Sequence, residues 1–438
     1  MKLAGQRAAV LGLGSSGEAA GRLLHAHGAV VTALDSGTPD LERVRSLRQL
    51  GISVITGPSA EVVDASFDLT VVSPGIDPAV PIVQNFLRQG AALTGELELS
   101  FRFCQRPIVA VTGTNGKTTT TQLIEAMLLA GGVRALACGN IGLPFAEAVQ
   151  LQERIDVFAV EVSSFQLETI TTFRPNVAVW LNLTPDHLDR YRSLEEYRDA
   201  KLRIFENQNE NDFAVTNRAD TLPPLAARQL RFSAYTNDAD FTFESRSIHF
   251  RGQPILNIAE TNLSGVHNVE NLMAALGTAY ALHLSWEKAK RGLATYTVLP
   301  HRCEKLAEIN GIKFINDSKA TNLDALSKAL ESQTDPVILL AGGKDKGFEF
   351  DTLKKIVRRK VKHAVLLGEM ADRICKSWST VVPCSTATTL REAVIEAVRQ
   401  GKPGDAVLFS PGTSSFDMFK NYADRGNQFR QIVQELKR

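Results

Sequence analysis

The chain has 438 residues, a length that suits two to four domains, and its 44% hydrophobic and 22% charged content is that of a folded globular protein. Its 49 basic and 48 acidic side chains leave a formal charge of +1, which gives no electrostatic footing for a nucleic-acid or membrane partner. No apolar run approaches the ~18 residues of a membrane span, and the apolar start at Ala8–Leu11 is broken at once by Gly12–Gly17, so no signal peptide is expected.

In chain order, strands are expected at Gln6–Leu13, Ala29–Asp35 and Leu69–Ser73, with a helix over Glu18–His27. Alternating strands and helices imply a parallel sheet with crossovers. Gly12, Gly14 and Gly17 complete a G-x-G-x-x-G fingerprint, and Asp35 closes the next strand where a ribose-binding carboxylate belongs. Alone, this reads as a nicotinamide-dinucleotide site. Its physics is less selective: the glycines bring a diphosphate up to a helix N-terminus, and a nucleotide-diphosphate sugar satisfies that equally.

A second block, about 95–298, opens with the β-branched run Pro107–Val111 and a helical pattern over Thr118–Ala130. Between them lies the phosphate loop Gly113-Thr114-Asn115-Gly116-Lys117-Thr118, preceded by Thr112 and followed by Thr119. Its glycines let the backbone turn its N–H groups toward phosphate oxygens, Lys117 adds a charge for the β- and γ-phosphates, and the Thr118 hydroxyl suits a nucleotide-bound Mg²⁺. The position where a standard loop has its first glycine is Val111, so the loop is a contracted form. A nucleoside-triphosphate user follows, and a dehydrogenase has no need of this second loop.

Further strands are expected at Val157–Val162, Val177–Leu183 and Phe213–Thr216, an antiparallel stretch over Arg231–Phe250, and a helix after His267. Glu161 ends its strand where a metal ligand belongs, and equally suits a helix N-terminus beside the capping residues Ser163 and Ser164. His187, in Leu183–Asp189, is either a second metal ligand or structural. Lys201 lies on a helix whose apolar side shows Leu202 and Phe205; spacing alone gives it a solvated face. A third block from about Leu299 has strands at Lys313–Asn316, Pro336–Ala341, His363–Leu367 and Ala406–Ser410, with a helix at Thr388–Arg399. The chain is α/β throughout, with three domains expected at 1–94, 95–298 and 299–438. Five cysteines (Cys104, Cys138, Cys303, Cys375, Cys384) lack metal spacing and suit a reducing cytosol, so a cytoplasmic location is expected.

Seven ordered motifs together resemble the Mur ligases, which build the peptide stem of peptidoglycan. They are the phosphate loop, Glu161–Leu167, Asp186–Asp189, Gly265–Asn271, His301–Glu304, Asn316–Asn322 and Gly342–Gly347, and the ending Ser410–Tyr422 adds to them. The resemblance covers the whole chain and implies a Rossmann-like N-terminal domain for UDP, a P-loop ATPase-like central domain with a mostly parallel sheet, and a Rossmann-like C-terminal domain for the amino acid. It implies an ATP- and Mg²⁺-dependent ligase, closest to the members that join D-glutamate to UDP-N-acetylmuramoyl-L-alanine through an acyl phosphate and a tetrahedral intermediate. A relative using another amino acid or extending folate is one alternative; a non-catalytic UDP-sugar or dinucleotide sensor is another.

By the same resemblance, Lys117, Glu161, His187 and Lys201 are catalytic. Two metal ions are implied, one held by Thr118 and Glu161, the other by His187 and a carbamylated Lys201. ATP meets Gly113, Thr114, Asn115, Gly116, Lys117, Thr118, Thr119, Asn268, Asn271, Arg302 and Asp317. The UDP substrate meets Gly14, Ser15, Ser16, Gly17, Asp35, Ser73, Gly75, Asn140, Ser163 and His187. D-Glutamate meets Lys319, Thr321, Lys344, Ser415 and Tyr422. Supplying ATP contacts from the third domain implies closure about a hinge near Leu299-Pro300. Relatives often carry a basic residue where this chain has Gly37, which leaves one uridine-side contact unassigned. Only small-molecule partners are implied, with a monomer as the default.

Overall fold

The computed structural model describes residues 3–437 apart from Asp189, Ser264 and Val298. Asp189, which ends the motif that starts at Asp186, and Val298, the expected end of the central domain, therefore lie outside the described residues. The described strands form three sheets, two in a first compact unit and one in a second.

In the first unit, five parallel strands, β1 (Arg7–Leu11), β2 (Val30–Asp35), β3 (Ser53–Thr56), β4 (Leu69–Val72) and β5 (Leu93–Gly95), take the order β3-β2-β1-β4-β5. The order reverses between β1 and β4, so a crevice opens at their carboxyl ends. There the backbone turns into Gly12–Gly17 and Ser73–Gly75.

The second sheet contains β6 (Ile108–Thr112), β7 (Ala135–Gly139), β8 (Val157–Glu161), β9 (Val177–Trp180), β10 (Phe213–Asn217), β11 (Arg228–Ser233), β12 (Phe241–Glu244), β13 (Ser247–Phe250) and β14 (Gln253–Asn257). Its order is β14-β13-β12-β11-β10-β9-β6-β8-β7. All five residues of β6 are buried, as a central parallel strand requires. The stretch Arg231–Phe250 differs from expectation: β11 runs parallel to both β10 and β12, and antiparallel pairing begins only at β12–β13. Alternation of apolar residues reports a half-exposed strand, not its direction.

The second unit contains residues 184–194, 262–267 and 297–438. Its sheet has β15 (Glu304–Ile309), β16 (Ile312–Asn316), β17 (Val337–Gly342), β18 (Val361–Leu367), β19 (Cys384–Ala387) and β20 (Ala406–Phe409), in the order β15-β16-β20-β17-β18-β19. The strand β15, absent from the sequence reading, forms a hairpin with β16 through Asn310 and Gly311, at φ +51° and +74°. Asn-Gly suits a two-residue turn that needs positive φ at both positions. The remaining pairs are parallel.

The helix Glu96–Phe103 leads from β5 toward β6 and buries two carboxylates with opposite fates. Burial of Glu96 outweighs the hydrogen bonds it receives, from Ala146 N–H at 2.5 Å among others, and pushes its pKa up to about 7. Burial acts on Glu98 too, but the N–H groups of Thr171, Thr172 and Phe173 donate at 2.9, 3.0 and 2.9 Å, and the threonine hydroxyls add to them. Its pKa falls to about 2. Because the folded pKa of Glu96 exceeds its unfolded value, its contribution is complete below pH 4.5 and is lost as pH rises through 7. Thermal unfolding of Glu96→Gln should therefore match the parent near pH 4 and show a gain of roughly 3 kcal/mol at pH 8; an equal difference at both pH values would refute the assignment.

Candidate active site

The carboxyl end of β6 feeds the phosphate loop, and the helix Lys117–Ala130 follows. Gly113 and Gly116 have φ of +147° and +87°, and a side chain at Gly113 would stand 2.9 Å from Leu181 Cβ. At Gly116 it would run into Asn271 Oδ1. Asn182, which the sequence reading passed over, clamps the loop: its Oδ1 accepts from Asn115 N–H at 2.9 Å and its Nδ2 donates to Asn115 O at 3.0 Å. The Asn182 carbonyl accepts from Thr114 N–H at 2.9 Å. Lys117 Nζ donates to Gly113 O and Thr114 O at 2.9 and 2.8 Å. Thr119 is buried, and Thr120 Oγ1 bonds Asn271 Oδ1 at 3.2 Å, with Asn268 next in line at 3.1 Å from Asn271 Nδ2.

Glu161, 2% exposed at the end of β8, accepts from Thr118 Oγ1 at 2.7 Å and from Asn140 Nδ2 at 2.9 Å. The adjacent Ser163 caps the short helix Ser164–Leu167 in a reciprocal box with Gln166. A hydroxyl and a buried carboxylate beside a phosphate loop suit Mg²⁺, which takes few protein ligands and draws others from the nucleotide. Among the described residues, no three His, Cys, Asp or Glu side chains gather as a metal cluster.

Lys201 departs from the solvated face that helical spacing alone gives it. Far from facing solvent, it is 1% exposed; its Nζ donates to Gly113 O at 2.9 Å and lies 4.5 Å from the Tyr197 ring centre. The Tyr197 hydroxyl in turn reaches Thr114 Oγ1 at 3.5 Å. Helical spacing showed which side was apolar but not that the phosphate loop covers the other.

At the N-terminal crevice, the helix Ser15–Ala26 begins one residue after Gly14, leaving Gly14 and Ser15 exposed and Ser16 half-buried. A side chain on Gly17 would collide with the Gly12 carbonyl, and one on Gly14 would stand 3.9 Å from Ser73 Oγ. Gly75 is exposed beyond it. Asp35 accepts from Leu13 N–H at 2.7 Å and Gly37 N–H at 2.8 Å, so its carboxylate shapes both loops. Arg43 bonds Leu13 O at 2.8 Å and Glu18 Oε2 at 2.7 Å, bringing a cation beside the loop that no motif announced.

In the second unit, Asp186 is 5% exposed and held by Lys346 Nζ at 2.7 Å and Asn322 Nδ2 at 3.1 Å. Although burial opposes it, Lys346 and the neighbouring His187 keep the Asp186 pKa below the usual range. His187 follows with φ +56°, an uncommon conformation for a side-chain-bearing residue. Lys344 is exposed and meets Ser414 through its backbone, and the cation of this loop that reaches Asp186 is the partly buried Lys346, which the sequence reading did not select. Lys319 Nζ lies 3.8 Å from the centre of the Tyr422 ring; Thr321 is half-buried and Ser415 buried. Arg302 sits between His301 and Cys303, at φ +67° and +45°. Asp317 accepts from Cys303 N–H at 3.1 Å and Ser410 Oγ at 2.7 Å, and burial raises its pKa to about 6.

Family comparisons agree with this arrangement of loops. The Mur ligase MurD-like N-terminal domain matches residues 6–95, the Mur ligase middle domain 111–279, and the Mur ligase glutamate ligase domain 301–412. The UDP-N-acetylmuramoylalanine–D-glutamate ligase of Geobacter metallireducens is 40% identical across 100% of this chain and 99% of its own. That of Pelotomaculum thermopropionicum is 41% identical across 98% and 97%. Among solved structures, UDP-N-acetylmuramate-alanine ligase MurC from Thermotoga maritima aligns with a TM-score of 0.64 at 20% identity, over 98% of this chain and 99% of that one. The MurF ligase from Thermotoga maritima in complex with ADP aligns at 0.60 and 16%, over 99% and 96%. The chain belongs to the Mur ligase family.

Removing Lys346 strands a buried carboxylate. Lys346→Met should lower stability by about 3 kcal/mol in denaturant unfolding, and Asp186→Asn in the same chain should return part of it. Additive losses in the double variant would show that the pair is not coupled.

Proposed function

We propose that the chain is the ATP-dependent ligase that joins D-glutamate to UDP-N-acetylmuramoyl-L-alanine, acting on small molecules in the cytoplasm as a monomer. The observation that carries this reading is the likeness, over the whole chain, to relatives named for that reaction. Two nucleotide loops on successive sheets support it, one for the UDP diphosphate and one for ATP. Among the described residues, no helix is long and apolar enough to cross a membrane.

In this reading, the carboxylate of the substrate's terminal alanine attacks the γ-phosphorus of ATP and ADP leaves. The amine of D-glutamate then attacks the acyl phosphate, and the tetrahedral intermediate collapses to an amide and phosphate. Lys117 and the N–H groups of Gly113–Thr118 hold the phosphates, with Thr119, Asn268, Asn271, Arg302 and Asp317 completing the ATP contacts. Thr118 and Glu161 would hold a Mg²⁺, whose charge would offset repulsion between the attacking carboxylate and the polyphosphate; His187 and a carbamylated Lys201 would hold a second ion. Gly14–Gly17, Asp35, Ser73, Gly75, Asn140, Ser163 and His187 serve the UDP substrate. Lys319, Thr321, Lys344, Ser415 and Tyr422 meet D-glutamate, with Lys346 nearby holding Asp186.

ADP release should require both UDP-N-acetylmuramoyl-L-alanine and D-glutamate; equal turnover with L-glutamate or lysine would sink the assignment. Lys201→Ala should lose about 100-fold or more in kcat and regain roughly tenfold with added short carboxylic acids. Absence of rescue would remove the carbamate while leaving the ligase reading standing.

A further inference from the structure

Arg425 lies one turn into the helix Tyr422–Glu435 and is 2% exposed. Its Nε donates to Ser318 Oγ at 3.0 Å and its Nη2 to Ser318 O at 2.8 Å. Nη1 and Nη2 both reach Thr413 O at 3.2 Å. The Ser318 hydroxyl donates onward to Tyr422 O at 2.8 Å. A third segment passes close by, because a side chain built on Gly343 (φ +140°) would stand 3.3 Å from Nη1.

One guanidinium therefore hydrogen-bonds two stretches that are far apart in sequence and lies beside a third. Asn316–Asn322 carries Lys319 and Thr321, Gly342–Gly347 carries Lys344 and Lys346, and Ser410–Ser415 carries Ser415. Tyr422 begins the helix that bears Arg425. The planar fork can satisfy donors toward several acceptors at fixed angles, which an ammonium cannot. Among the described residues no carboxylate comes within ion-pairing distance of it; Asp417 and Asp317 act on it only from further off. Burial lowers its pKa to about 10, which leaves it charged at neutral pH. A buried cation whose partners are neutral oxygens favours any anion that settles nearby.

We propose that Arg425 is a positioning residue of the amino-acid site: it ties the Ser318 and Thr413 segments together beside Gly343, and its charge, with no carboxylate bonded to it among the described residues, favours an amino acid with a second carboxylate. This inference rests on the D-glutamate reading above. Full-length Arg425→Gln and Arg425→Lys should be compared with the parent by ADP release, with D-glutamate and D-glutamine as alternative acceptors.

In Arg425→Gln, KM for D-glutamate should rise about 30-fold or more while KM for ATP and for the UDP substrate moves less than about threefold, and preference for D-glutamate over D-glutamine should fall roughly tenfold. Arg425→Lys, which retains charge without the fork, should recover the preference more fully than the KM. Equal rises in all three KM values, or an unchanged D-glutamate KM, would overturn the proposal. Should Arg425→Gln fail to fold, an unchanged D-glutamate KM in Arg425→Lys overturns it alone. A parent enzyme without D-glutamate-dependent turnover would instead remove the functional reading, which separates the two failures.

Discussion

The Gly113 carbonyl is the point on which the phosphate site turns. Lys117 and Lys201, 84 residues apart, both donate to it at 2.9 Å. Two ammonium groups sharing one acceptor sit close enough to repel each other, and low polarity around the buried Lys201 strengthens that repulsion. The arrangement favours whatever brings negative charge to this loop. A polyphosphate does so from outside, and a carbamate on Lys201 would do so from within. The same carbonyl explains the backbone: Gly113 must take φ +147° to aim it, and Leu181 and Asn182 leave no room there for a side chain.

Topology repeats this logic three times. In each sheet the functional loops leave the carboxyl ends of strands, where parallel order gathers them. The strands β1 and β4 present the diphosphate loop and Ser73. The strands β6 and β8 bring Thr118 and Glu161 to 2.7 Å across 43 residues of sequence. In the third sheet β16, β20 and β17 are neighbours, so Asn316, Ser410 and Gly342 leave side by side. Arg425 then hydrogen-bonds two of the loops that follow, at Ser318 and Thr413, and lies beside the third at Gly343.

Much of this was legible in sequence because glycine spacing, a strand-end carboxylate and a helix start are local patterns with local causes. The phosphate loop, the N-terminal fingerprint and the alternation of strands and helices belong to that class. What escaped depends on what covers a residue. Lys201 has the spacing of a surface lysine, and only the fold lays Gly113 over it. Lys346 and Lys344 are two residues apart in a glycine-rich turn, and nothing local says which will meet Asp186. Asn182 and Arg425 carry no motif because, the Ser318 hydroxyl apart, their bonds described above go to backbone carbonyls and N–H groups, which every residue possesses. The Asn310-Gly311 turn was the opposite case, a local signal present and left unread.

The N-terminal crevice separates shape from charge. Asp35 spends an oxygen each on Leu13 and Gly37, so it fixes the two loops that border the crevice. With glycine at position 37 the backbone folds back onto Asp35, and no side chain there can carry a cation. Arg43 brings a cation to this border, anchored to the Leu13 carbonyl and to Glu18. Glu18 also accepts from Arg22 at 2.9 Å, so one carboxylate stands against two guanidinium groups at the start of a helix whose own end is positive. Asp35 offsets the second guanidinium, so Arg43 provides a directed cation, not a net excess of charge, next to the loop of exposed Gly14 and Ser15, where a diphosphate would enter.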